Sequence, residues 1–163
     1  MSRSAEVALD ARDAALLRAA IELSAQARDA GNQPYGALLA DADGRVLHES
    51  RNSQVTSRDC TAHAELNLVR EVSPRLDREL LASCTIYASG EPCPMCAGAI
   101  FAAGIGRVVY GLSIETMVAL SDPQGDELIL HCRDVLACGT RATTVLGPAL
   151  EDEARRVFEV KAP

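Results

Sequence analysis

The sequence predicts an α/β fold in which helices cover both faces of a sheet. Segments with strand character alternate with segments with helical character along the 163 residues, and this alternation is typical of α/β architectures. Apolar residues make up 48% of the chain, which supports one sizeable core, while the length is short for two domains. No internal repeat or linker is evident, so we expect a single domain over residues 1–163.

A helix and a β-hairpin are predicted at the start of the chain. From Asp10 to Ala30 the apolar residues recur with helical spacing, and Gly31 suits the end of a helix. The runs 36–40 and 45–49 have strand composition, and the Asp and Gly residues at 41–44 are typical of a turn between hairpin strands. We therefore expect the first two strands to pair with each other.

The alternation continues through the rest of the chain, although residues 112–140 carry mixed signals. The other expected elements are a helix at about 60–72, a buried strand at 83–88, a helix at 93–103 that Gly104 stops, a strand at 107–110, a last strand at 143–146 and a last helix at 149–160. Two of these helices begin close to His and Cys residues, so their N-terminal N–H groups and dipoles would favour thiolate and hydroxide there.

The most informative motif pairs His63-Ala64-Glu65 with the stretch from Pro92 to Cys96. Zinc binds imidazole nitrogen and thiolate sulfur, and a catalytic zinc site keeps three protein ligands so that water can take the fourth position. His63, Cys93 and Cys96 would supply those ligands. Glu65 would stay free of the metal and move protons as a general acid/base.

Two other hypotheses fit parts of this motif. A structural zinc would need a fourth ligand, and the candidates His48, His131, Cys132 and Cys138 are distant in sequence. A Cys-x-x-Cys pair alone is also typical of redox proteins, although these do not need a His-x-Glu partner. The combined motif therefore favours a hydrolytic zinc enzyme.

The motif and its surroundings resemble the cytidine-deaminase-like superfamily of zinc nucleobase and nucleoside deaminases. The resemblance covers roughly residues 10–112 and is carried by residues 34–37, Asn52, 59–65, 91–99 and 107–111. Within the superfamily it is most similar to bacterial guanine deaminases and tRNA adenosine deaminases. It implies a three-layer α/β/α fold with a central mixed five-stranded sheet, a bound Zn2+ ion, and a C-terminal segment of about 112–163 for substrate or dimer contacts.

The resemblance also implies roles for individual residues. Glu65 would take a proton from the water and pass it to the substrate, while backbone N–H groups of Ala64 and Cys93 would help to orient the hydroxide. Asn52 would hydrogen-bond the base or ribose; a loop-capping role is the alternative. The run Tyr35-Gly36-Ala37 would form a wall over the flat ring, although Tyr35 is equally compatible with a core position.

Charge and composition bear on the substrate. The net charge is −7, and Lys161 is the only lysine, which favours a small base over tRNA. Guanine presents N–H donors that need an acceptor. The carboxylates available in the C-terminal segment are Glu115, Asp122, Asp126 and Glu127. We select Glu115 because it follows the predicted strand at 107–110, and we expect Glu91 to be structural. His131 is a candidate pocket residue, although a surface or hydrogen-bonded position is favoured for it.

Guanine is the expected substrate, with water as co-substrate. Cytosine, a nucleoside, a triazine-like base or tRNA adenosine are the alternatives. No apolar run approaches the length of a membrane helix, so we expect a cytoplasmic protein. Its other cysteines, Cys60, Cys84, Cys132 and Cys138, would then be free thiols. The resemblance implies a homodimer, and the last helix, with Leu150, Ala154, Val157 and Phe158 near one face, could dock on its own core or on a partner.

Overall fold

The computed structural model describes residues 9–121 and 125–160, whose centre is a mixed five-stranded sheet with the strand order β2-β1-β3-β4-β5. The strands are β1 (Gly36–Ala40), β2 (Val46–Arg51), β3 (Thr85–Gly90), β4 (Arg107–Leu112) and β5 (Thr144–Leu146). Strand β1 is antiparallel to both β2 and β3, whereas β3, β4 and β5 run parallel. The expected hairpin and the expected mixed sheet are both confirmed.

Helices lie on both faces of this sheet, which confirms the three-layer prediction. They are α1 (Ala11–Asp29), α2 (Gln54–Ser57), α3 (Ala64–Val72), α4 (Arg78–Ser83), α5 (Pro94–Ala103), α6 (Ile114–Leu120), α7 (Cys132–Ala137) and α8 (Glu151–Glu159). Buried side chains of α1 and α8 pack together on one face of the sheet, and those of α3, α5 and α7 pack on the other. Within the described ranges, no helix combines the length and the apolar character needed to cross a bilayer.

Helix α1 is fixed by capping and by a buried ion pair. The Asp10 side chain accepts a hydrogen bond from the Asp13 N–H, and Gly31 follows the helix at a φ of 86°, a conformation that suits glycine. Asp13 accepts hydrogen bonds from Arg107 in β4 (2.8 Å) and from the Tyr87 hydroxyl in β3 (2.6 Å). The Arg107 hydrogen bond lowers the pKa of Asp13, so the carboxylate joins the helix to two central strands.

The structure corrects several predicted boundaries. Helix α3 begins at Ala64 rather than near residue 60, because the Asp59 side chain accepts hydrogen bonds from Thr61 and holds a turn there. The short helices α2 and α4 were not predicted, and α6 and α7 occupy the segment with mixed signals. These four helices have 4 to 7 residues each, too few turns to show a helical period in the sequence.

The carboxyl edge of the parallel strands positions the site. Strands β3 and β4 end at Gly90 and Leu112, and the N–H of the next residue, Glu91, donates to the Leu112 carbonyl (2.8 Å). Because β1 is antiparallel to β3, its first residue lies at the same edge, where the Gly36 N–H donates to the Ser89 hydroxyl. Loops from three strands therefore converge there, as is common for sites in α/β folds.

Candidate active site

His63, Cys93 and Cys96 come together at the N-termini of two adjacent helices. His63 is the N-cap residue of α3, Cys93 is the N-cap residue of α5, and Cys96 lies in the first turn of α5. Pro94 occupies the first position of α5, where its missing N–H costs no hydrogen bond. Packing of α3 against α5 then brings the three side chains into one cluster.

The geometry of this cluster fits a tetrahedral zinc ion. His63 Nδ1 lies 3.6 Å from Cys93 Sγ and 3.6 Å from Cys96 Sγ. In a tetrahedral site with ordinary Zn–N and Zn–S bonds, a nitrogen and a sulfur ligand are separated by about 3.6 Å. Among the described residues the cluster has three members, and the distant candidates for a fourth ligand, such as His48 in β2 and Cys132 in α7, lie elsewhere.

The sulfur atoms of Cys93 and Cys96 lie within 4.8 Å of each other, and a hydrogen bond joins the two groups. A hydrogen bond from Cys96 lowers the pKa of Cys93 to about 4, and the same hydrogen bond, together with burial, raises the pKa of Cys96. Two adjacent thiolates would repel each other at this distance unless a cation lay between them. The donor set therefore suits a divalent metal.

Glu65 provides the carboxylate beside the cluster. It lies in the first turn of α3, its side chain is buried, and its Oε2 is 3.8 Å from Cys96 Sγ. Burial raises the pKa of Glu65 to about 7. A carboxyl group with this pKa can both accept and return a proton near neutral pH, as a general acid/base must.

A cavity of about 520 Å³ opens in front of this cluster, a volume suited to a small molecule. Its lining includes His63, Glu65 and Cys93 at the metal end. The other lining residues are Gln33, Tyr35, Asn52, Gln54, Cys60, Glu91, Ile114, Met117, Val118, Leu120, Ser121, Gly125, Asp126, Glu127, Leu128 and Phe158. Helix α6, the described residues that precede α7, and Phe158 of α8 supply one part of this lining, which we call the wall.

Asn52 lines the cavity and also caps a loop. Its side chain is buried, its Oδ1 accepts from the Gln54 N–H (3.0 Å), and its Nδ2 donates to Gln54 Oε1 (2.7 Å). An asparagine amide can donate twice and accept twice, so one donor and one acceptor position remain. The capping alternative is therefore real, and the predicted substrate contact stays a prediction.

The stretch Tyr35-Gly36-Ala37 contributes only its tyrosine to the cavity. Tyr35 packs edge to face against Phe158, with ring centroids 5.7 Å apart, and burial raises its pKa. A Cβ on Gly36 would lie 2.6 Å from the Ala20 carbonyl oxygen, so this glycine is required by α1. Ala37 is buried in the core under α3. The expected three-residue wall is therefore reduced to Tyr35, while Ala64 lies buried at the first position of α3.

Glu115, the predicted guanine acceptor, lies outside the cavity lining. Its side chain is 65% exposed and is 3.3 Å from His131 Nε2. The acids that line the cavity are Asp126 and Glu127, whereas Asp122 lies outside the described residues. Helix α6 turns Ile114, Met117 and Val118 to the cavity, a set with i, i+3, i+4 spacing that the sequence already contains. A residue at i+1 such as Glu115 falls on another face.

Glu91 and His131 are partners of each other. The buried Glu91 carboxylate accepts hydrogen bonds from the backbone, in keeping with the structural role expected for it. His131 Nδ1 is 3.2 Å from Glu91 Oε1, and its half-exposed ring does not line the cavity. Helix α8 packs on its own chain through Ala154 and Val157, yet it also places Phe158 in the cavity wall, a role that was not predicted.

Several known proteins are similar to this chain in sequence. A probable cytosine deaminase of Schizosaccharomyces pombe is 40% identical over 148 residues, which are 90% of this chain and 90% of that protein. The guanine deaminase of Bacillus subtilis is 40% identical over 95 residues, which are 58% of this chain and 60% of that protein. Relatives that match also include tRNA-specific adenosine deaminases.

The fold is shared with a solved guanine deaminase structure from Nitrosomonas europaea. That structure superposes with a TM-score of 0.77 at 23% identity and covers 96% of this chain and 87% of its own. Residues 10–112 match the model of the cytidine and deoxycytidylate deaminase zinc-binding region, and this range contains His63, Glu65, Cys93 and Cys96. The chain therefore belongs to the cytidine and deoxycytidylate deaminase family of zinc-type hydrolytic deaminases.

Proposed function

We propose that this protein deaminates a small amino-heterocycle by hydrolysis, and that guanine, converted to xanthine and ammonia, is the favoured substrate. One observation carries the proposal: a buried Glu65 stands beside a zinc-compatible cluster at the inner end of a cavity of about 520 Å³. A single heterocycle fits such a volume, and the proton carrier and the ligands lie together at its end.

The chemistry divides between the metal and the protein. His63, Cys93 and Cys96 would hold the zinc ion, which would lower the pKa of a water molecule and supply a nucleophile at neutral pH. Glu65 removes a proton from that water and delivers it to the ring nitrogen beside the amino-bearing carbon, to which the water oxygen adds. Glu65 then takes the remaining proton from the added hydroxyl and gives it to the amino group, which leaves as ammonia while the carbonyl forms.

Carboxylates in the cavity wall support guanine as the favoured substrate. Its N1–H and imidazole N–H groups are donors for which Asp126 and Glu127 line the cavity as acceptors, whereas the 2-amino group is the leaving group and must lie at Glu65. The edge-to-face pair of Tyr35 and Phe158 would border a flat ring. A pocket that hydrogen-bonds these donors would reject analogues that lack them.

Cytosine is the second candidate, because the probable cytosine deaminase matches 90% of the chain. Its single ring would leave part of the wall uncontacted. Adenosine in tRNA is less favoured by the composition, since a net charge of −7 with one lysine gives little attraction to a polyanion.

The test is an ammonia-release panel with zinc-loaded protein. The panel contains guanine, adenine, cytosine, their nucleosides, triazine-like analogues and a tRNA anticodon stem, and Glu65→Gln serves as the inactive control. We expect the highest kcat/KM with guanine. Higher kcat/KM with cytosine selects the second candidate, and activity confined to the tRNA stem rejects the proposal of a small substrate.

A further inference from the structure

Glu91 stands between the metal ligands and the rest of the cavity wall. It follows β3 directly and precedes Cys93 by two residues. Its side chain is 1% exposed, and its N–H donates to the Leu112 carbonyl at the end of β4 (2.8 Å). The residue is therefore held at the sheet edge from which both the metal loop and the wall begin.

The two carboxylate oxygens of Glu91 reach two different helices. Oε2 accepts from the Ile114 N–H (3.1 Å), and Oε1 accepts from the Cys132 N–H (2.9 Å). Ile114 and Cys132 are the first residues of α6 and α7, where backbone N–H groups have no acceptor within their own helix. The Glu91 side chain thus provides a hydrogen-bond acceptor for the first N–H group of each helix.

These two helix starts directly precede or closely follow in sequence the segments that form the wall of the cavity. Helix α6 brings Met117 and Val118 to the cavity, and the described residues ahead of α7 bring Glu127 and Leu128. Although Glu91 borders the cavity, both of its oxygens accept backbone hydrogen bonds, and His131 Nδ1 lies 3.2 Å from Oε1. The contacts given for this carboxylate are therefore all to the protein.

We propose that Glu91 is a positioning residue that sets the distance between the metal ligands and the substrate-recognition wall. The inference rests on the proposed function, because the wall is taken to bind the heterocycle. Through Glu91, the chain segment that carries Cys93 is joined to the segments that carry Met117 and Glu127. Loss of the Glu91 hydrogen bonds to Ile114 and Cys132 would weaken substrate binding while the zinc ligands stay in place.

Glu91→Gln tests the proposal, with Glu151→Gln as its matched control. Glu91 needs two oxygens, and a glutamine offers one, so its NH2 group would face a backbone N–H. Glu151 accepts from the Ser113 N–H (2.8 Å) and hydroxyl (2.6 Å) at the single oxygen Oε1, so a glutamine there can keep these two hydrogen bonds. Both carboxylates hold the start of α6, but only Glu91 lies beside the metal loop.

We expect Glu91→Gln to raise KM for the best substrate of the panel by roughly tenfold or more, since one buried N–H loses its acceptor. Its kcat should change less, its zinc content should equal that of the wild type, and Glu151→Gln should keep the wild-type KM. An unchanged KM in Glu91→Gln, or a loss of zinc that accounts for the whole effect, overturns the proposal.

Hydrogen exchange of the zinc-loaded wild type provides a second measurement that does not depend on the variant folding. The amides of Ile114 and Cys132 should exchange far more slowly than that of Arg78, which holds the same position at the exposed start of α4. Equal exchange overturns the proposal. If the wild type deaminates nothing in the panel, the proposed function fails. Slow exchange at both amides would still support the proposed role of Glu91 in holding the starts of α6 and α7.

Discussion

The metal end and the wall of the cavity are built from different kinds of segment. The metal end comes from the starts of α3 and α5, at His63 and Cys93. These two helices pack against each other, and both starts lie in the region that matches the family model. The wall comes from the short helix α6, from residues that precede α7, and from Phe158 of α8, mostly beyond that region. The metal cluster thus comes from a compact sequence motif, whereas the wall, which we propose to select the substrate, comes from segments that only the fold brings together.

Removing a metal ligand at the metal end should have the largest effect on activity. Cys96→Ser replaces a buried thiolate by a poorer ligand, so we expect zinc loss and no measurable ammonia release. Metal analysis and the ammonia assay check both parts. Cys84→Ser, a buried thiol in the core away from the cluster, is the control and should keep its zinc. Activity without zinc in Cys96→Ser would contradict the assigned ligand set.

Replacing the proton carrier should separate metal binding from turnover. Glu65→Gln keeps the shape of the side chain and removes its basicity, so kcat should fall by roughly 10²–10⁴-fold while zinc remains bound. Paired zinc analysis and steady-state kinetics measure this. Because burial raises the pKa of Glu65 to about 7 in the metal-free chain, its deprotonated form, which accepts the proton from water, becomes dominant only near neutral pH. A variant that retains turnover would remove Glu65 from the mechanism.

Changes in the wall should alter substrate preference and leave the chemistry intact. Glu127→Gln removes an acceptor for the donor edge of guanine, so kcat/KM for guanine should fall by roughly 10–100-fold, the cost of one charge-assisted hydrogen bond. Glu115→Gln, whose exposed side chain faces His131 outside the cavity lining, should change kcat/KM less than twofold, a range we set at about assay precision. The reverse order of effects would restore Glu115 as the acceptor.

The sequence predicted the metal end better than the wall, for physical reasons. Ligand chemistry and helix-start geometry fix His63, Cys93 and Cys96 locally, and long periodic segments such as α1 can be recognised without tertiary contacts. Helix α6 is different: Ile114, Met117 and Val118 have helical spacing, but its seven residues make about two turns, a stretch too short to identify the helix itself from the sequence. The choice of Glu115 over Glu127 failed to match the cavity lining for that reason. Phe158 reaches the cavity through the docking of α8 on β4, which no local pattern predicts.

The smallest effect on activity is expected far from both regions, at Asp13. Asp13→Asn removes the charge that faces Arg107 and should lower the free energy of unfolding by about 1–3 kcal/mol at pH 7, with kcat/KM for the best substrate unchanged. The folded state lowers the pKa of Asp13, so the carboxylate stabilises the fold above its unfolded pKa of about 3.9. This contribution is lost as the pH falls towards the folded pKa.

Urea unfolding of both proteins between pH 7 and pH 3 should therefore show a difference that is largest at neutral pH and shrinks below about pH 4. Glu71→Gln, which breaks the exposed ion pair with Arg75, is the control and should cost less than about 1 kcal/mol. A difference for Asp13→Asn that stays constant over this range would mean that the lost packing, and not the carboxylate charge, stabilises α1 against the central strands. A fall in kcat/KM in the fully folded variant would show that the Asp13–Arg107 ion pair also affects the cavity.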